Sequence, residues 1–598
     1  MNKIRRKNTL SVKRSSIIHL LSLLVLFFIG LWVFKDFFKI SLWGDDWMLS
    51  FYIVEHRIAG TIPRLYFSLY GGQAILMDLM NHIFNFEPKY YFYTSYVLRF
   101  IASISVYVLA FYISNKKLVA FFSTFLFLTS FTGIESTNWV HNSVNYLALA
   151  SFLFGYLFWL KGGTAEKNKN ANKYVFAYFF LFALAIALAG VRVPGLILLF
   201  IFIEGYSVMT KKSKFKSSLI KVVILLGIFI LFAKLGFFGA VGSYTSGQLK
   251  SGLLTYLHAD SANIFRFMLY PIGSFANMVF PTHLFSAYPF YQEFFVNVNI
   301  GIYEIILYSI PILLLVIKLA RRSKIAGFIF AIFWSITFYL FLKGFGDSLG
   351  DIGAQVLIGL ILTFFFLYLY FYFLITKRED IKDNMINLFV MAVSFVFVTH
   401  ALLVNQSTID SQSRYMTISS GMVSILISFT LYYSFKRMTF VLLTMIIIIL
   451  NIFGARYFFS ESRLRLNDKV KIAWEDISSL GSKIPYEGKT RLFVFDFSDD
   501  ERDFYQTAIG FGGTYHYAIV NGINDRKKLA VFLSKDELGV VLQTFKDSLA
   551  GANQLGPMIH GELKLTDIYG FALKNGRVSR SDEIRNKIRQ LSEVDPNP

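Results

Sequence analysis

The chain contains no cysteine in 598 residues. That excludes disulfides, iron–sulfur clusters, thiolate zinc and a thiol nucleophile, and leaves the compartment undecided. Charge is scarce too: 16% of residues are charged, against 55% apolar and 18% aromatic. A soluble globular domain cannot bury that much apolar surface, so the composition specifies a polytopic membrane protein. Acids are the scarcer sign, 38 against 59 basic residues, for a net charge of +21. This surplus does not indicate nucleic acid. Residues 458–598 hold 20 Lys/Arg against 20 Asp/Glu, so the whole excess lies in the apolar part, where a positive-inside bias explains it. Several catalytic signatures are missing as well. There is no H-E-x-x-H, no cluster with zinc-ligand spacing and no G-x-S-x-G elbow. "GFGGTYHY" matches a phosphate loop only weakly and reads as a turn. No internal repeat or low-complexity linker stands out.

What is present is a series of apolar stretches of spanning length, about 17–25 residues each. They fall at 17–35, 91–113, 118–134, 143–160, 174–190, 193–209, 219–238, 300–319, 325–343, 353–375, 385–404, 416–434 and 438–457, thirteen in all. Alternate connections carry "NKK", "KGGTAEKNKNANK", "TKKSKFKS", "ARRSK", "TKREDIKD" and "SFKRM". Such short basic loops face the cytoplasm, and with the basic N-terminus they hold most of the loop cations. By parity, the first loop (35–89), the long loop 239–299 and the C-terminal region are external. The run Ile17–Phe34 follows "KIRRKNTLSVKR" without a small-residue cleavage site and reads as an uncleaved signal-anchor. The expected fold class is therefore an all-α polytopic membrane domain over residues 1–457, in a bacterial-type plasma (inner) membrane. A small external α/β domain follows over 458–598, with strands predicted at "RLFVFDF", "YHYAIVNG", "LAVFLS" and "YGFALKNG" and helices at "DELGVVLQTFKDSL" and "SDEIRNKIRQLSE".

Chemistry on this plan faces outward. "SLWGDDWMLSFYIVEHR" (41–57) sets Asp45 and Asp46 just beyond the first span. They read either as functional acids or as a turn in which Asp46 caps the following helix. Trp47–Arg57 and Pro63–Tyr70 look like short interfacial helices, the second carrying Arg64. "AGVRVPG" holds Arg192, and "SQSRYMT" holds Arg414 and Tyr415. An arginine at a span end either snorkels to headgroups or forks onto phosphate oxygens. "IESTNWVHNSVNY" adds Glu135, Asn138, Trp139 and His141, with Glu135 a second acid or a metal ligand and His141 an interfacial hydrogen-bonder or a ligand. His258, Asp260, Arg266 and His283 on the 239–299 stretch are either structural or concerned with the acceptor. Acids opposite arginines favour transfer from a phosphate leaving group over hydrolysis by serine or zinc.

An external "DD" directly after the first span resembles the GT-C-type membrane glycosyltransferases, as do interfacial helices in that loop, a cation near a later span start, "RY" before a late span and a soluble external tail. The resemblance covers the architecture of most of residues 1–457. It implies a polyprenyl-phosphate-sugar donor in the membrane lipid, an acceptor that is a glycan, glycolipid or protein, and no nucleic acid. Asp45 is then similar to the family's catalytic base, with Asp46 orienting it, binding acceptor or ligating a metal. Arg192, Arg414 and Tyr415 resemble the groups holding donor phosphate. The implied transfer inverts the anomeric centre, and burial beside a second acid is expected to raise the basicity of Asp45. No metal site is assigned: Mg²⁺ or Mn²⁺ on the acids is conceivable, but a monophosphate donor does not require one. There is no "WWDYG", which departs from the oligosaccharyltransferase branch. A polysaccharide polymerase or ligase, a lipid-glycan transporter and a surface scaffold are the competing classes. The late external loop is short for the first, the charges gather at one face rather than mid-bilayer against the second, and the neutral tail offers no patch for the third.

Overall fold

The computed structural model describes residues 2–68, 71–164, 171–189, 193–210, 213–234, 261–281, 300–346, 349–403, 413–460, 464–484, 491–510, 512–525, 528–537, 565–584 and 586. Within them the chain is largely helical. In order come α1 (Asn2–Val33), α2 (Asp45–Ile58), α3 (Ile62–Tyr66), α4 (Gly71–Phe84), α5 (Pro88–Ser114), α6 (Lys117–Thr129), α7 (Ile134–Asn138), α8 (Val144–Thr164), α9 (Ala171–Ala189) and α10 (Val193–Met209). They are followed by α11 (Phe215–Lys234), α12 (Ser261–Val279), α13 (Ile302–Ala320), α14 (Lys324–Phe345), α15 (Gly350–Ile375), α16 (Glu379–Leu403), α17 (Thr417–Ser434) and α18 (Arg437–Phe459). Within the described residues, each of the thirteen apolar stretches coincides largely with a helix. Among the described residues seven helices are long and apolar enough to cross a membrane, and four more are apolar but shorter. In lipid the backbone must satisfy its own hydrogen bonds, and the helix does so within each stretch.

The middle of the bundle is α17, whose residues from Thr417 to Leu431 are all buried. Its small side chains, Ser419, Ser420, Gly421, Ser424 and Ser428, allow α5, α6, α8, α16 and α18 to approach closely. A Cβ on Gly421 would stand 2.9 Å from the Leu149 side chain of α8. One helix comes from a region expected to be loop. Within 239–299, α12 packs on α15, with the Asn277 amide donating to Gln355 at 2.8 Å. The Ile272 carbonyl occupies the space a Cβ on Gly359 would need. Its amphipathic pattern is too polar for a span, and its buried face packs against α14, α15 and α16.

The C-terminal region adds α19 (Arg465–Gly481), β1 (Arg491–Phe497), α20 (Gly513–Val520), β2 (Ala530–Ser534), β3 (Ile568–Lys574) and β4 (Arg577–Arg580). The sheet order is β2-β1-β3-β4, with β1 parallel to both neighbours and β4 antiparallel to β3. Three of the four predicted strands are present, and β4 was not foreseen. "YHYAIVNG" is a correction, because this stretch forms α20 rather than a strand. Its alternation misleads because the helix is buried on two sides. Tyr515 and Ala518 join the core of the membrane domain, whereas Tyr517 joins that of the tail. The two predicted tail helices, 536–549 and 581–593, lie mostly outside the described residues.

The joint between tail and membrane domain is interdigitated. Trp43, from the first loop, is buried in the tail's core beside Val470, Ala473 and Trp474. His516 of α20 is stacked on Trp47 at 4.1 Å and 12°, with Trp474 at 3.9 Å on it as well. Burial pushes the His516 imidazole down to about 3, so the docked ring is neutral. Undocked, it takes up a proton below its ordinary value of about 6.5, and the joint loses stability as pH falls from there toward the docked value. Thermal unfolding followed between pH 7 and 4 should show an acid-dependent loss that His516→Phe diminishes. An equally steep loss in that variant would assign the acid sensitivity elsewhere.

Candidate active site

Asp45 and Asp46 occupy the first turn of α2, where the helix dipole favours carboxylates. The helix starts sharply because Gly44 takes φ 53°, a backbone that suits glycine. Asp46 does not cap the helix. Its carboxylate is fully buried and turned toward the segment after α7. Oδ2 accepts from the Val140 N–H at 3.2 Å, Oδ1 accepts from the His141 N–H at 2.9 Å, and His141 Nδ1 lies 2.7 Å from Oδ1. Behind it, the Asn142 amide nitrogen is 3.0 Å from His141 Nε2, and Gln73 donates to Asn142 at 3.1 Å. Asp46 thus ties α2 to the 138–143 segment.

Asp45 is only partly buried. Burial pushes its carboxyl above the ordinary carboxylate range. The neighbouring Asp46 adds to the rise, while His141, when charged, and Arg414 pull the other way. The charge of Arg414 therefore acts on Asp45. Arg414 precedes α17 in a single 3₁₀ turn, Ser413–Met416. Its backbone N–H donates to Glu135 Oε2 at 3.2 Å, and its guanidinium meets the same oxygen at 3.5 Å. The guanidinium also lies over the rings of Trp139 at 4.5 Å and Tyr415 at 4.9 Å. Trp139 Nε1 donates to the Trp43 carbonyl at 3.1 Å. One carboxylate of raised basicity and one cation bracketed by aromatic faces consequently share a single end of the bundle.

The chain is structurally similar to ArnT of Cupriavidus metallidurans. The crystal structure of that protein bound to undecaprenyl phosphate matches over 93% of this chain and 97% of that chain, at 13% identity and a TM-score of 0.31. The structure in the apo state matches over 95% and 97%, at 12% identity and a TM-score of 0.31. No protein-family model and no curated protein matches the sequence. Identity and superposition at this level leave the roles of individual residues to their own geometry.

The remaining candidates divide. Glu135, Trp139, His141, Arg414 and Tyr415 gather with Asp45 and Asp46. Asn138 lies in the same segment, buried, with both polar atoms of its amide lacking a hydrogen-bond partner among the described residues. Arg64 is exposed on α3. Arg266 binds elsewhere: its Nε donates to the Gly344 carbonyl at the end of α14 and its guanidinium lies 5.6 Å from the Phe345 ring. Arg192, His258, Asp260 and His283 lie outside the described residues. Among the described residues no three His, Asp or Glu side chains are grouped to hold one metal ion.

Sequence reasoning missed Arg99. This residue of α5 is fully buried, and its guanidinium donates to the carbonyls of Ser130 at 2.6 Å and Phe127 at 3.3 Å. It also donates to Thr137 Oγ1 at 3.1 Å and the Tyr146 hydroxyl at 3.3 Å. It therefore pins both ends of the segment that presents Glu135, Asn138 and His141. A charge inside the 91–113 stretch was the available signal. A cavity of about 460 Å³ lies between the ends of α1 and α18, lined by Phe34, Phe37, Phe453 and Phe459 with Asp36 and Arg456 among them. None of the residues gathered around Asp45 lines it.

Proposed function

We propose that the protein is a membrane glycosyltransferase that moves a sugar from a polyprenyl-phosphate donor to an acceptor hydroxyl at the outer face of a bacterial-type plasma membrane. In this reading residues 1–457 form the catalytic domain, with the N-terminus in the cytoplasm, and residues 458–598 stand outside. The observation that carries it is that one short segment, residues 135–141, meets both sides of the site: His141 is bonded to Asp46, next to Asp45, and Glu135 and Trp139 hold Arg414.

The donor phosphate engages Arg414. Its contact with Glu135 at 3.5 Å is long for a hydrogen bond, and a phosphate that accepts two N–H bonds at once displaces so weak a contact readily. The acceptor hydroxyl hydrogen-bonds to Asp45. As its oxygen bonds to the anomeric carbon, the bond from that carbon to the phosphate oxygen breaks, and the configuration inverts. The hydroxyl proton passes to Asp45, and the electron pair leaves with the polyprenyl phosphate, whose growing charge Arg414 stabilises. Asn138, whose amide has no hydrogen-bond partner among the described residues, is suited to a hydroxyl of donor or acceptor. No step here runs through a metal.

Binding of undecaprenyl phosphate to the full-length protein in lipid nanodiscs tests the first half of this scheme. Arg414→Ala should weaken it by about tenfold or more, the scale of a charge-assisted bidentate contact, while Asp45→Asn leaves it intact. Equal affinity in wild type and Arg414→Ala would remove Arg414 from the donor site.

A further inference from the structure

The tail does more than follow the last span. Its contacts fall on the helix that bears Asp45. The Tyr515 hydroxyl lies 3.1 Å from that of Tyr52, and its ring packs at 5.5 Å on Phe51. His516 covers Trp47, two positions from Asp45. Gly512, at φ +79°, brings its backbone so close to Gly44 that a Cβ there would lie 2.4 Å from the Gly44 carbonyl oxygen. That oxygen accepts the first helical hydrogen bonds of α2, from Trp47 and Met48. Gly44, Trp47 and Phe51 recur at nearly one helical turn and form the face gripped by the tail. Asp46 sits on another face and is gripped by Val140 and His141. Asp45 begins a helix held from two directions.

We propose that the C-terminal domain is a clamp on the first turn of α2, and that His516, stacked flat on Trp47 and met at a tilt by Trp474, is a positioning residue that sets the orientation and burial of the Asp45 carboxyl. The proposal rests on the reading of Asp45 as the base only for its consequence in catalysis; the geometry it claims is independent of turnover. His516 touches no reacting group. Its ring is an uncharged, flat spacer between two indoles, and its Nδ1 has no hydrogen-bond partner among the described residues, so what it contributes is stacking. When that spacer is lost, Trp47 follows it, and the start of α2 turns with Trp47.

The test labels carboxyl groups of the full-length protein in nanodiscs with a water-soluble carbodiimide and a small amine, read by mass spectrometry across a pH series. His516→Ala should raise the rate at Asp45, because a carboxyl no longer held buried meets the reagent more often, and should move its pH midpoint down toward the ordinary carboxylate value. Labelling at Asp499, exposed in the tail, should not change. His516→Phe, which keeps a flat ring in the stack, should restore the wild-type rate and midpoint. If His516→Ala yields no folded protein, Gly512→Ala, which drives a methyl against the Gly44 carbonyl, serves instead, with faster Asp45 labelling expected. Unchanged Asp45 labelling in whichever of the two folds would overturn the clamp. The two readings fail separately: full sugar transfer by Asp45→Asn would end the catalytic assignment and leave this one standing, and unchanged labelling would do the reverse.

Discussion

Asp45→Asn should reduce sugar transfer by about 10²–10⁴-fold, the contribution of a positioned general base, while the protein still inserts, folds and binds polyprenyl phosphate. Asparagine keeps the size of the side chain and the start of α2, but its amide cannot accept the hydroxyl proton. The neighbouring acid cannot substitute. Asp46 is fully buried and committed to Val140 and His141, so it reaches neither acceptor nor water without breaking the tie that holds the 138–143 segment. The wild-type rate should also fall on the acid side. A base must be ionised to work, and because burial raises the Asp45 carboxyl, the midpoint of that limb lies above the ordinary carboxylate value near about 4. Transfer of labelled sugar in membranes, measured from pH 4 to 8, checks both effects. Wild-type turnover by Asp45→Asn would take the residue out of the mechanism.

Arg99→Ala should be the most damaging single change to the fold. It removes donors to two buried carbonyls and two buried hydroxyls and a guanidinium lying 4.6 Å from the Phe34 ring. A buried acceptor left without its partner costs about 1–3 kcal/mol. Several together approach the whole margin of a folded domain, about 5–15 kcal/mol. Arg99→Lys should rescue poorly, because one ammonium cannot reach from Phe127 and Ser130 to Thr137 and Tyr146 as a planar fork does. Thermal unfolding of purified protein in detergent should show a marked drop for both variants, larger for alanine. A midpoint within a degree or two of wild type for Arg99→Ala would show that the connecting segment is held by other means, such as the Ser95 hydroxyl on the Ser136 and Thr137 carbonyls.

The residues that could be found by reading along the chain were those whose meaning is local. Asp45 and Arg414 stand at the ends of apolar stretches, where a charge is conspicuous. The helices starting near Trp47 and Pro63 were legible from their aromatic spacing, though the helix after them, α4, was not foreseen. Arg99 was visible as a charge in a span and passed over for the loops. Other features had no local signature. Asp46 and His141 are partners across 95 positions, and nothing near either announces the other. Glu135, a candidate acid or metal ligand by sequence, turns out to face Arg414 across 279 positions. "YHYAIVNG" looked like a strand because a helix buried on two sides leaves no single apolar stripe to recognise.

Membrane class, the helical stretches and the gathering of charge at their ends were determined by the sequence alone. Insertion into lipid and the closing of backbone hydrogen bonds depend on runs of about twenty neighbouring residues. Tertiary structure alone decided which of two adjacent acids is tied down and which is left beside a cation, what Arg99 holds, and that the tail reaches back onto α2. Those outcomes depend on Coulomb, stacking and hydrogen-bond contacts that act over a few ångströms, and only folding brings residues from distant parts of the chain within that range.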